Sequence, residues 1–294
     1  MRVGYIGLGI MGKPMALNIQ KAGFELHVWA RRSEATADLQ AAGATAHSSL
    51  SALASCCDVI FLNVSDTPDV EQLILDEGGL IEYAKPGTIV VDNSTISPDA
   101  TRHMAEQLAK KDIKMLDAPV SGGDVGAIAG TLSIMVGGKA NIFSKVRPIL
   151  ETFGTNILHI GDHGAGQVCK ACNQVLVAQS MAAVGESMLL AKASGVDAAK
   201  VRQALLGGFA QSRILDIHGQ RILDNNFIPG FKSELHHKDM GIALDAAHQG
   251  GVELPGAQLA AKHLTGMVEQ GMGGEDSSAM CKIIAAESDF PLFD

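Results

Sequence analysis

Short apolar runs alternate with amphipathic stretches through the first half of the chain. Runs of this kind that end at turn residues are typical of strands buried on both faces of a parallel sheet. The runs that predict strands are Arg2–Ile6, Glu25–Trp29, Asp58–Val64, Thr88–Asp92, Lys114–Asp117, Thr131–Val136 and Ile157–His159. The stretches that predict helices between them are Met11–Ala22, Glu34–Ala42, Asp69–Leu75 and Pro98–Lys111. This alternation predicts an α/β domain built on a Rossmann-type, doubly wound parallel sheet.

The pattern changes after Gly166. Residues 167–193 contain no proline and only one glycine, which predicts a single helix about 40 Å long. Gly195 follows as a stop signal for that helix. The helical patterns beyond it are Ala198–Leu206, Ser212–Leu223, Lys238–Gln249 and Gln258–Gln270. The sequence therefore predicts a Rossmann domain at 1–163 and an all-α domain at 164–294, joined by the long helix.

Composition narrows the classes of function. The 294 residues carry 32 acidic and 23 basic side chains, and this formal charge of −9 argues against a nucleic-acid-binding surface. Hydrophobic residues make up 47% of the chain, which is enough for a sizeable core. No uninterrupted apolar stretch approaches the length of a membrane span, so we expect no membrane partner.

Cysteines and histidines give no metal signature. The five cysteines are too irregularly spaced for a disulfide framework, so we expect a reducing, cytoplasmic environment. Cys169 and Cys172 form a C-x-x-C pair, but no second pair accompanies it, and we interpret both as small helix residues. The adjacent His236 and His237 point about 100° apart on a helix and do not chelate together. We expect no bound metal ion.

A glycine-rich turn carries the strongest motif. Residues Gly7, Gly9 and Gly12 have G-x-G-x-x-G spacing directly after the first predicted strand and before the first helix. Gly7 permits the tight turn, Gly9 lets a pyrophosphate approach the backbone, and Gly12 lets the helix pack on the strand. Backbone amides and the positive helix end then bind the phosphates, so an acidic protein can hold an anionic cofactor. The cofactor-binding residues predicted here are Gly7, Leu8, Gly9, Ile10, Met11 and Gly12.

The end of the second strand predicts which dinucleotide binds. An acidic residue at this place accepts a hydrogen bond from the ribose 2′-hydroxyl of NAD, whereas this chain has Arg31 and Arg32. Guanidinium groups suit a 2′-phosphate through charge-assisted, fork-shaped hydrogen bonds. The sequence therefore favours NADP(H), with Arg31 as the residue that selects it. The alternative is that one arginine stacks on adenine and the protein accepts both NADP and NAD.

Two further strands end in polar segments. Asp92–Thr95 ends one strand and Asp117–Gly123 ends the next. Ligands of open parallel sheets lie beyond the carboxyl ends of the strands. The hydroxyl of Ser121 and the amides of Gly122 and Gly123 suit a carboxylate, although an ordinary loop explains the same residues.

The long helix begins with a lysine and an amide on one face. Lys170, Asn173 and Val177 are spaced at i, i+3 and i+7. An ammonium near a helix N-terminus is electrostatically disfavoured, and with partial burial we expect its pKa to fall. Such a lysine is a better proton donor. The alternative is a solvated lysine without a chemical role.

These segments, in this order, resemble the β-hydroxyacid dehydrogenase family, which includes 3-hydroxyisobutyrate dehydrogenase. The resemblance covers essentially the whole chain. The segments that carry it are Gly7–Gly12, Asp92–Pro98 (DNSTISP), Asp117–Gly123 (DAPVSGG), Gly166–Asn173 and Lys238-Asp239. The segments Gly207–Leu215 and Asp276–Ala279 are similar to the branch of that family that reduces tartronate semialdehyde.

The resemblance implies hydride transfer between a nicotinamide cofactor and a short semialdehyde or hydroxy acid. It implies that Lys170 is the catalytic general acid and that Asn173 positions the lysine and the substrate. It places the substrate carboxylate on Ser121, Gly122 and Gly123. The other residues that it implies are Val64, Ser65, Thr95 and Lys238 for the cofactor and Phe231 for the substrate. It also implies a homodimer or homotetramer.

Overall fold

The computed structural model describes residues 1–291, and the chain divides into two compact units. The first unit is Met1–Lys170 and the second begins at Ala171. The boundary predicted from the sequence, between residues 163 and 164, lies seven residues before the one in the structure. The residues between these two positions form the first turns of the long helix, and hydrogen bonds from Gly164 and Gln167 hold those turns to the first unit.

The first unit contains one nine-stranded sheet. Its strands are β1 (Arg2–Ile6), β2 (Glu25–Trp29), β3 (Thr45–Ala46), β4 (Val59–Leu62), β5 (Ile89–Asp92), β6 (Lys114–Asp117), β7 (Val120–Ser121), β8 (Leu132–Gly138) and β9 (Gly154–Gly161). They are ordered β3-β2-β1-β4-β5-β6-β8-β7, and β9 pairs with β8. Strands β1 to β6 are parallel to one another, so the predicted doubly wound α/β fold is confirmed.

One edge of this sheet departs from the predicted all-parallel arrangement. Strand β8 runs antiparallel to both β6 and β7. Gly137 lies beside β6 at a point where a Cβ would meet the Asp117 carboxylate at 2.5 Å. The glycine pair that ends β8 therefore permits this close approach, which the periodicity of the sequence did not indicate.

Helices cover both faces of the sheet. Those of the first unit are α1 (Gly12–Lys21), α2 (Ala37–Ala41), α3 (Leu50–Ala54), α4 (Thr67–Leu75), α5 (Leu80–Tyr83), α6 (Pro98–Ala109), α7 (Gly123–Ala129) and α8 (Ala140–Leu150). The predicted helix Glu34–Ala42 is a short 3₁₀ turn, Ser33–Thr36, followed by α2. Alternate residues of β1 enter different clusters: Val3 packs with Met15 of α1, and Ile6 packs with Leu53 of α3. Burial on both faces explains why a central strand such as β4 is apolar throughout.

Over the described residues, the regular elements of the second unit are helices, as predicted. The long helix α9 (Ala165–Ala193) carries the chain into this unit, and it is followed by α10 (Ala198–Leu206), α11 (Arg213–Leu223), α12 (Ser233–Gln249), α13 (Pro255–Glu269), a 3₁₀ turn (Ser277–Ala279) and α14 (Met280–Ala286). The core packs Ala178 and Met188 of α9 against Met240 of α12 and Leu264 of α13.

Helix α9 ends as the sequence predicts. Gly195 has a φ of +66°, and the N–H of Val196 donates to the carbonyl of Ala191, which is the geometry of a glycine helix stop.

Among the described residues, α9 is the one helix that is long and apolar enough to cross a membrane, judged by length and composition alone. A core helix passes the same test, and Ala178, Met188 and Leu189 of α9 lie in the core of the second unit.

Candidate active site

The turn between β1 and α1 has the geometry of a dinucleotide-binding loop. Gly7 has a φ of +92°, and a Cβ there would overlap the backbone oxygen of Asn63. A Cβ on Gly12 would overlap the backbone oxygen of Gly7, so α1 packs directly on the turn. A Cβ on Gly9, in contrast, would meet no atom within 4 Å. The open space at Gly9 and the adjacent start of α1 fit the pyrophosphate of a dinucleotide.

A cavity of about 170 Å³ lies beside this turn, large enough for part of a dinucleotide. The residues lining it that the sequence assigned to the cofactor or its selection are Gly7, Leu8, Gly9, Arg31, Arg32 and Val64. The cavity is not lined by five other residues predicted to contact the cofactor, Ile10, Met11, Gly12, Ser65 and Thr95. The structure therefore brings the glycine turn together with the arginine pair.

Arg31, which lines this cavity, has an exposed guanidinium. Its side chain is 75% exposed, and its guanidinium lies 3.7 Å from the carboxylate of Asp69, which also lines the cavity. At this distance and exposure the ion pair is weak, so the guanidinium is accessible to a ligand phosphate.

The carboxyl ends of β4 and β5 are tied together by hydrogen bonds. The Ser94 hydroxyl accepts from the N–H of Val64 at 2.9 Å, and the N–H of Ser94 donates to Asp92 at 2.9 Å. The side-chain amide of Asn93 donates to the carbonyl of Ala118 at 2.7 Å. These bonds fix the polar segment that leads to Thr95.

The predicted carboxylate turn has a backbone shape that requires glycine. Ser121 ends β7, Gly122 follows with a φ of +138°, and Gly123 begins α7 with a φ of +65°. A Cβ on Gly122 would lie 2.9 Å from the Leu132 side chain. The turn is therefore a defined conformation beside the Ser121 hydroxyl.

The start of α9 is anchored by a buried carboxylate. Asp117 accepts hydrogen bonds from the N–H groups of Gly164 at 2.9 Å and Gln167 at 3.0 Å. Burial raises the pKa of Asp117, although these two backbone donors oppose that shift. Gly166 lies against the same carboxylate, where a Cβ would meet it at 2.8 Å. The end of β6 thereby fixes the helix turn that precedes Lys170.

The side chain of Gln167 adds a second anchor. Its amide nitrogen donates to the carbonyl of Ser94 at 2.8 Å, and its oxygen accepts from the N–H of Ile96 at 3.2 Å. Lys170 follows in the next turn of α9 and is only 7% exposed, so it is a buried lysine rather than a solvated one. The segment after β5 therefore helps to hold the turn from which Lys170 projects.

A chain of polar side chains connects Asn173 to Lys238 within the second unit. The Asn173 amide donates to Gln174 at 2.8 Å, and the Gln174 amide donates to Asp239 at 2.7 Å. The other oxygen of Asp239 lies 2.8 Å from the ammonium of Lys238. Gln174 and Asp239 are both buried. Two residues that the resemblance implies for substrate and cofactor thus share one hydrogen-bonded network.

Phe231 is held by a second buried carboxylate. Asp276 accepts from the N–H groups of Gly230 at 2.9 Å and Phe231 at 3.2 Å, and from the Ser278 hydroxyl at 2.6 Å. Burial alone would raise the pKa of Asp276, but the His218 imidazole and Ser278 outweigh it and hold that pKa well below its ordinary value. The segment before α12 is therefore ordered by this charged carboxylate.

We expect Asp276→Asn to lower the free energy of unfolding by about 3 kcal/mol, because the charged acceptor of several buried donors is removed. A depressed folded-state pKa stabilises the native state above the ordinary carboxyl pKa of about 3.9, and this contribution is lost as pH falls. Urea unfolding should therefore show a large gap between wild type and variant at neutral pH that shrinks below about pH 4. Asp224→Asn, at an exposed position after α11, is the control. A gap independent of pH would contradict the assigned role.

Sequence analysis did not identify the residues that position the site. Gln167 and Gln174 lie at i−3 and i+4 from Lys170, so all three share one face of α9. Polar residues recurring on one face of an apolar helix were an available signal. The anchoring role of Asp117 could not be predicted from the sequence, because it depends on the start of α9 lying beside the end of β6 in the folded chain.

Comparisons with known proteins agree with this geometry. Residues 2–161 match the family model described as the NAD binding domain of 6-phosphogluconate dehydrogenase. Residues 164–284 match the model described as NAD-binding of NADP-dependent 3-hydroxyisobutyrate dehydrogenase. The chain is 42% identical to 2-hydroxy-3-oxopropionate reductase of Escherichia coli, over 97% of each chain. It is 37% identical to 2-(hydroxymethyl)glutarate dehydrogenase of Eubacterium barkeri, over 96% of this chain and 94% of that one.

A solved structure extends the comparison. The crystal structure of 3-hydroxyisobutyrate dehydrogenase from Salmonella typhimurium is similar with a TM-score of 0.87 and 32% identity, over 96% of this chain and 99% of that one. The Rossmann sheet, the glycine turn and these matches define an NAD(P)-dependent oxidoreductase that acts on CH–OH groups. The chain belongs to the β-hydroxyacid dehydrogenase family, in the group that resembles tartronate semialdehyde reductase.

Proposed function

We propose that this protein reduces tartronate semialdehyde (2-hydroxy-3-oxopropanoate) to D-glycerate with NADPH as the favoured cofactor. The observation that carries the proposal is a buried Lys170 at an anchored helix start, in a chain with the complete glycine turn. The 42% identity to 2-hydroxy-3-oxopropionate reductase supports the choice of substrate. We expect a cytoplasmic enzyme.

The glycine turn supports the cofactor part of the proposal. Gly7, Gly9 and Gly12 would hold the pyrophosphate, with Leu8, Ile10 and Met11 completing the loop. The residues assigned to the rest of the dinucleotide are Arg31, Val64, Ser65, Thr95 and Lys238. When bound, the reduced nicotinamide supplies the hydride.

Lys170 and Asn173 carry the chemistry of the chain itself. The Lys170 ammonium would donate its proton to the aldehyde oxygen as negative charge develops there, and the resulting amine would regain a proton from solvent. Asn173, three residues later on α9, would hydrogen-bond the substrate and orient it toward the lysine. Gln174, which accepts a hydrogen bond from Asn173, would act as a positioning group through that residue. Gln167 would position Lys170 indirectly, by holding the preceding turn of α9 to the segment after β5.

The remaining assignments concern the acid group of the substrate. The Ser121 hydroxyl and the backbone amides of Gly122 and Gly123 would bind the carboxylate. The positive φ values at both glycines support this assignment, because they give the turn one defined backbone conformation. Phe231, ordered by Asp276, is the proposed apolar contact. Most of the rate enhancement would then come from orienting the substrate and from positive charge already in place where the oxyanion develops.

Product analysis tests the proposal. Purified protein mixed with tartronate semialdehyde and NADPH should form D-glycerate in a one-to-one ratio with NADPH oxidised. NADPH with deuterium at both C4 positions should place one deuterium on the former aldehyde carbon and keep the other on the oxidised cofactor. Absence of NADPH and NADH oxidation with this aldehyde would overturn the proposed reaction.

The cofactor preference has its own test. We expect Arg31→Ala to raise KM for NADPH by about 10–100-fold and to change KM for NADH little, because a charge-assisted hydrogen bond to the 2′-phosphate is lost. Arg147→Ala, which removes an exposed arginine paired with Glu151 on α8, is the matched control. Equal changes for both cofactors would contradict the assignment of Arg31.

Quaternary structure is a separate expectation. Leu176 and Leu190 on α9 are each 69% exposed, which is unusual for large apolar side chains on a helix of this length. We expect a homodimer or homotetramer, and light scattering coupled to size-exclusion chromatography measures its mass. A monomer at micromolar concentration would contradict this expectation.

A further inference from the structure

Two histidines and two cysteines meet on one face of the sheet in the first unit. His27 lies in β2, His47 follows β3, and Cys56 and Cys57 lie between α3 and β4. The Nδ1 atom of His27 is 2.9 Å from Nε2 of His47. The Sγ atom of Cys56 lies 3.8 Å from the former nitrogen, 3.7 Å from the latter and 3.7 Å from Sγ of Cys57.

These separations are close to those between the ligands of a tetrahedral zinc ion. With Zn–S about 2.3 Å and Zn–N about 2.0–2.1 Å, tetrahedral geometry gives about 3.6 Å for S···N, about 3.8 Å for S···S and about 3.3 Å for N···N. The ligand atoms of His27, Cys56 and Cys57 all lie within 4.8 Å of one another. His47 lies against His27 and Cys56 but outside that group of three, so its ring has to move toward Cys57 to complete a His₂Cys₂ set.

A carboxylate orients one of these ligands. Nε2 of His27 lies 3.1 Å from the carboxylate of Glu25, which favours a proton on Nε2 and leaves the lone pair of Nδ1 toward the cysteines. Carboxylate–histidine pairs of this kind accompany zinc-binding histidines and raise their basicity. Without a cation, a proton on Nε2 of His47 can be donated to Nδ1 of His27.

The surrounding packing leaves room for the sulfur atoms and a route to solvent. A Cβ on Gly4 would lie 3.1 Å from Sγ of Cys57, so the glycine in β1 provides space for this thiol. Burial raises the pKa of Cys57, and a bound cation would have to displace that proton. His27 and Cys57 are buried, whereas His47 and Cys56 are partly exposed and provide an entry path.

Although the spacing of cysteines and histidines in the sequence predicted no bound metal ion, we propose that His27, His47, Cys56 and Cys57 bind one Zn²⁺ ion per chain as a structural site. Thiolate and imidazole ligands in a tetrahedral arrangement select zinc over the oxygen-preferring cations. A four-ligand site leaves no open position for catalysis. The cluster lines no part of the cavity at the glycine turn, so the ion would tie α3 and the segment after β3 to β2. This proposal is independent of the proposed reaction.

Zinc titration of the reduced, chelator-treated full-length protein tests the site. In competition with a chromophoric chelator, wild type should bind one zinc per chain. Cobalt(II) should give a near-ultraviolet thiolate charge-transfer band and intense visible bands typical of tetrahedral coordination. Cys56→Ser, at a partly exposed position, should lower zinc affinity by more than about 100-fold, and Glu25→Gln by about 10–100-fold. Cys172→Ser, which removes an exposed thiol on α9, should leave both readouts unchanged.

Three results would overturn the site. They are binding of less than half a zinc per chain, a cobalt spectrum without a thiolate band, or equal zinc binding by wild type and Cys56→Ser. Circular dichroism and NADPH binding of each zinc-free variant verify that it is folded. If Cys56→Ser does not fold, His47→Asn, at another partly exposed position, takes its place with the same expected loss.

Discussion

Lys170→Ala should lower kcat by about 10²–10⁴-fold, the usual contribution of a general acid. Lys170 is buried at the start of α9, so its ammonium is held in one region rather than free in solvent. The loss should fall mainly on kcat, because the proton is needed in the transition state and much less for substrate binding. Steady-state assays with saturating NADPH measure both parameters.

A matched variant separates this effect from damage to the helix. Cys172→Ala lies two residues further along α9 at an exposed position, and it should retain wild-type kcat. Lys170→Ala should bind NADPH normally, and small primary amines added to the assay should restore part of its activity. A variant with near-native kcat would show that Lys170 is not the proton donor.

Gly9→Ala should weaken NADPH binding by about 100-fold, or about 2.8 kcal/mol, while leaving the fold intact. The added methyl group meets no protein atom within 4 Å, so it occupies only the space proposed for the pyrophosphate. The chain contains a single tryptophan, Trp29, and it lines the neighbouring cavity. Quenching of its fluorescence by NADPH therefore measures the dissociation constant directly.

Two other glycine variants calibrate that result. Gly12→Ala should destabilise the protein as well, because its Cβ overlaps the backbone oxygen of Gly7. Gly274→Ala, in the second unit, has no atom within 4 Å of its Cβ and should change neither binding nor stability. If Gly9→Ala binds NADPH as tightly as wild type, the turn does not hold the pyrophosphate.

The fold was readable because its signals are local. Strand β1 and the turn after it are fixed by consecutive apolar residues and by three glycines whose spacing has few other uses. The long α9 was readable from the absence of proline and from Gly195. Short elements such as α3 and α5 were missed, since four or five residues give too little periodicity to identify.

The site was readable only in part. Chemistry-bearing residues such as Lys170 and Ser121 stand out by type and context. Their supports, Asp117 and Gln167, act through contacts between segments far apart in the chain, and no spacing rule reports such contacts. The contact between His27 and Cys56 could not be predicted from the sequence for the same reason, since it depends on how the segment after α3 packs against β2.

The most direct test of the central claim is kcat/KM for a panel of semialdehydes with NADPH and with NADH. The panel is tartronate semialdehyde, methylmalonate semialdehyde, which gives 3-hydroxyisobutyrate, and succinic semialdehyde, which gives 4-hydroxybutyrate. We predict that tartronate semialdehyde with NADPH has the highest kcat/KM, at least about tenfold above the other aldehydes, a difference of about 1.4 kcal/mol. A higher kcat/KM for either of the other two aldehydes would contradict the proposed substrate.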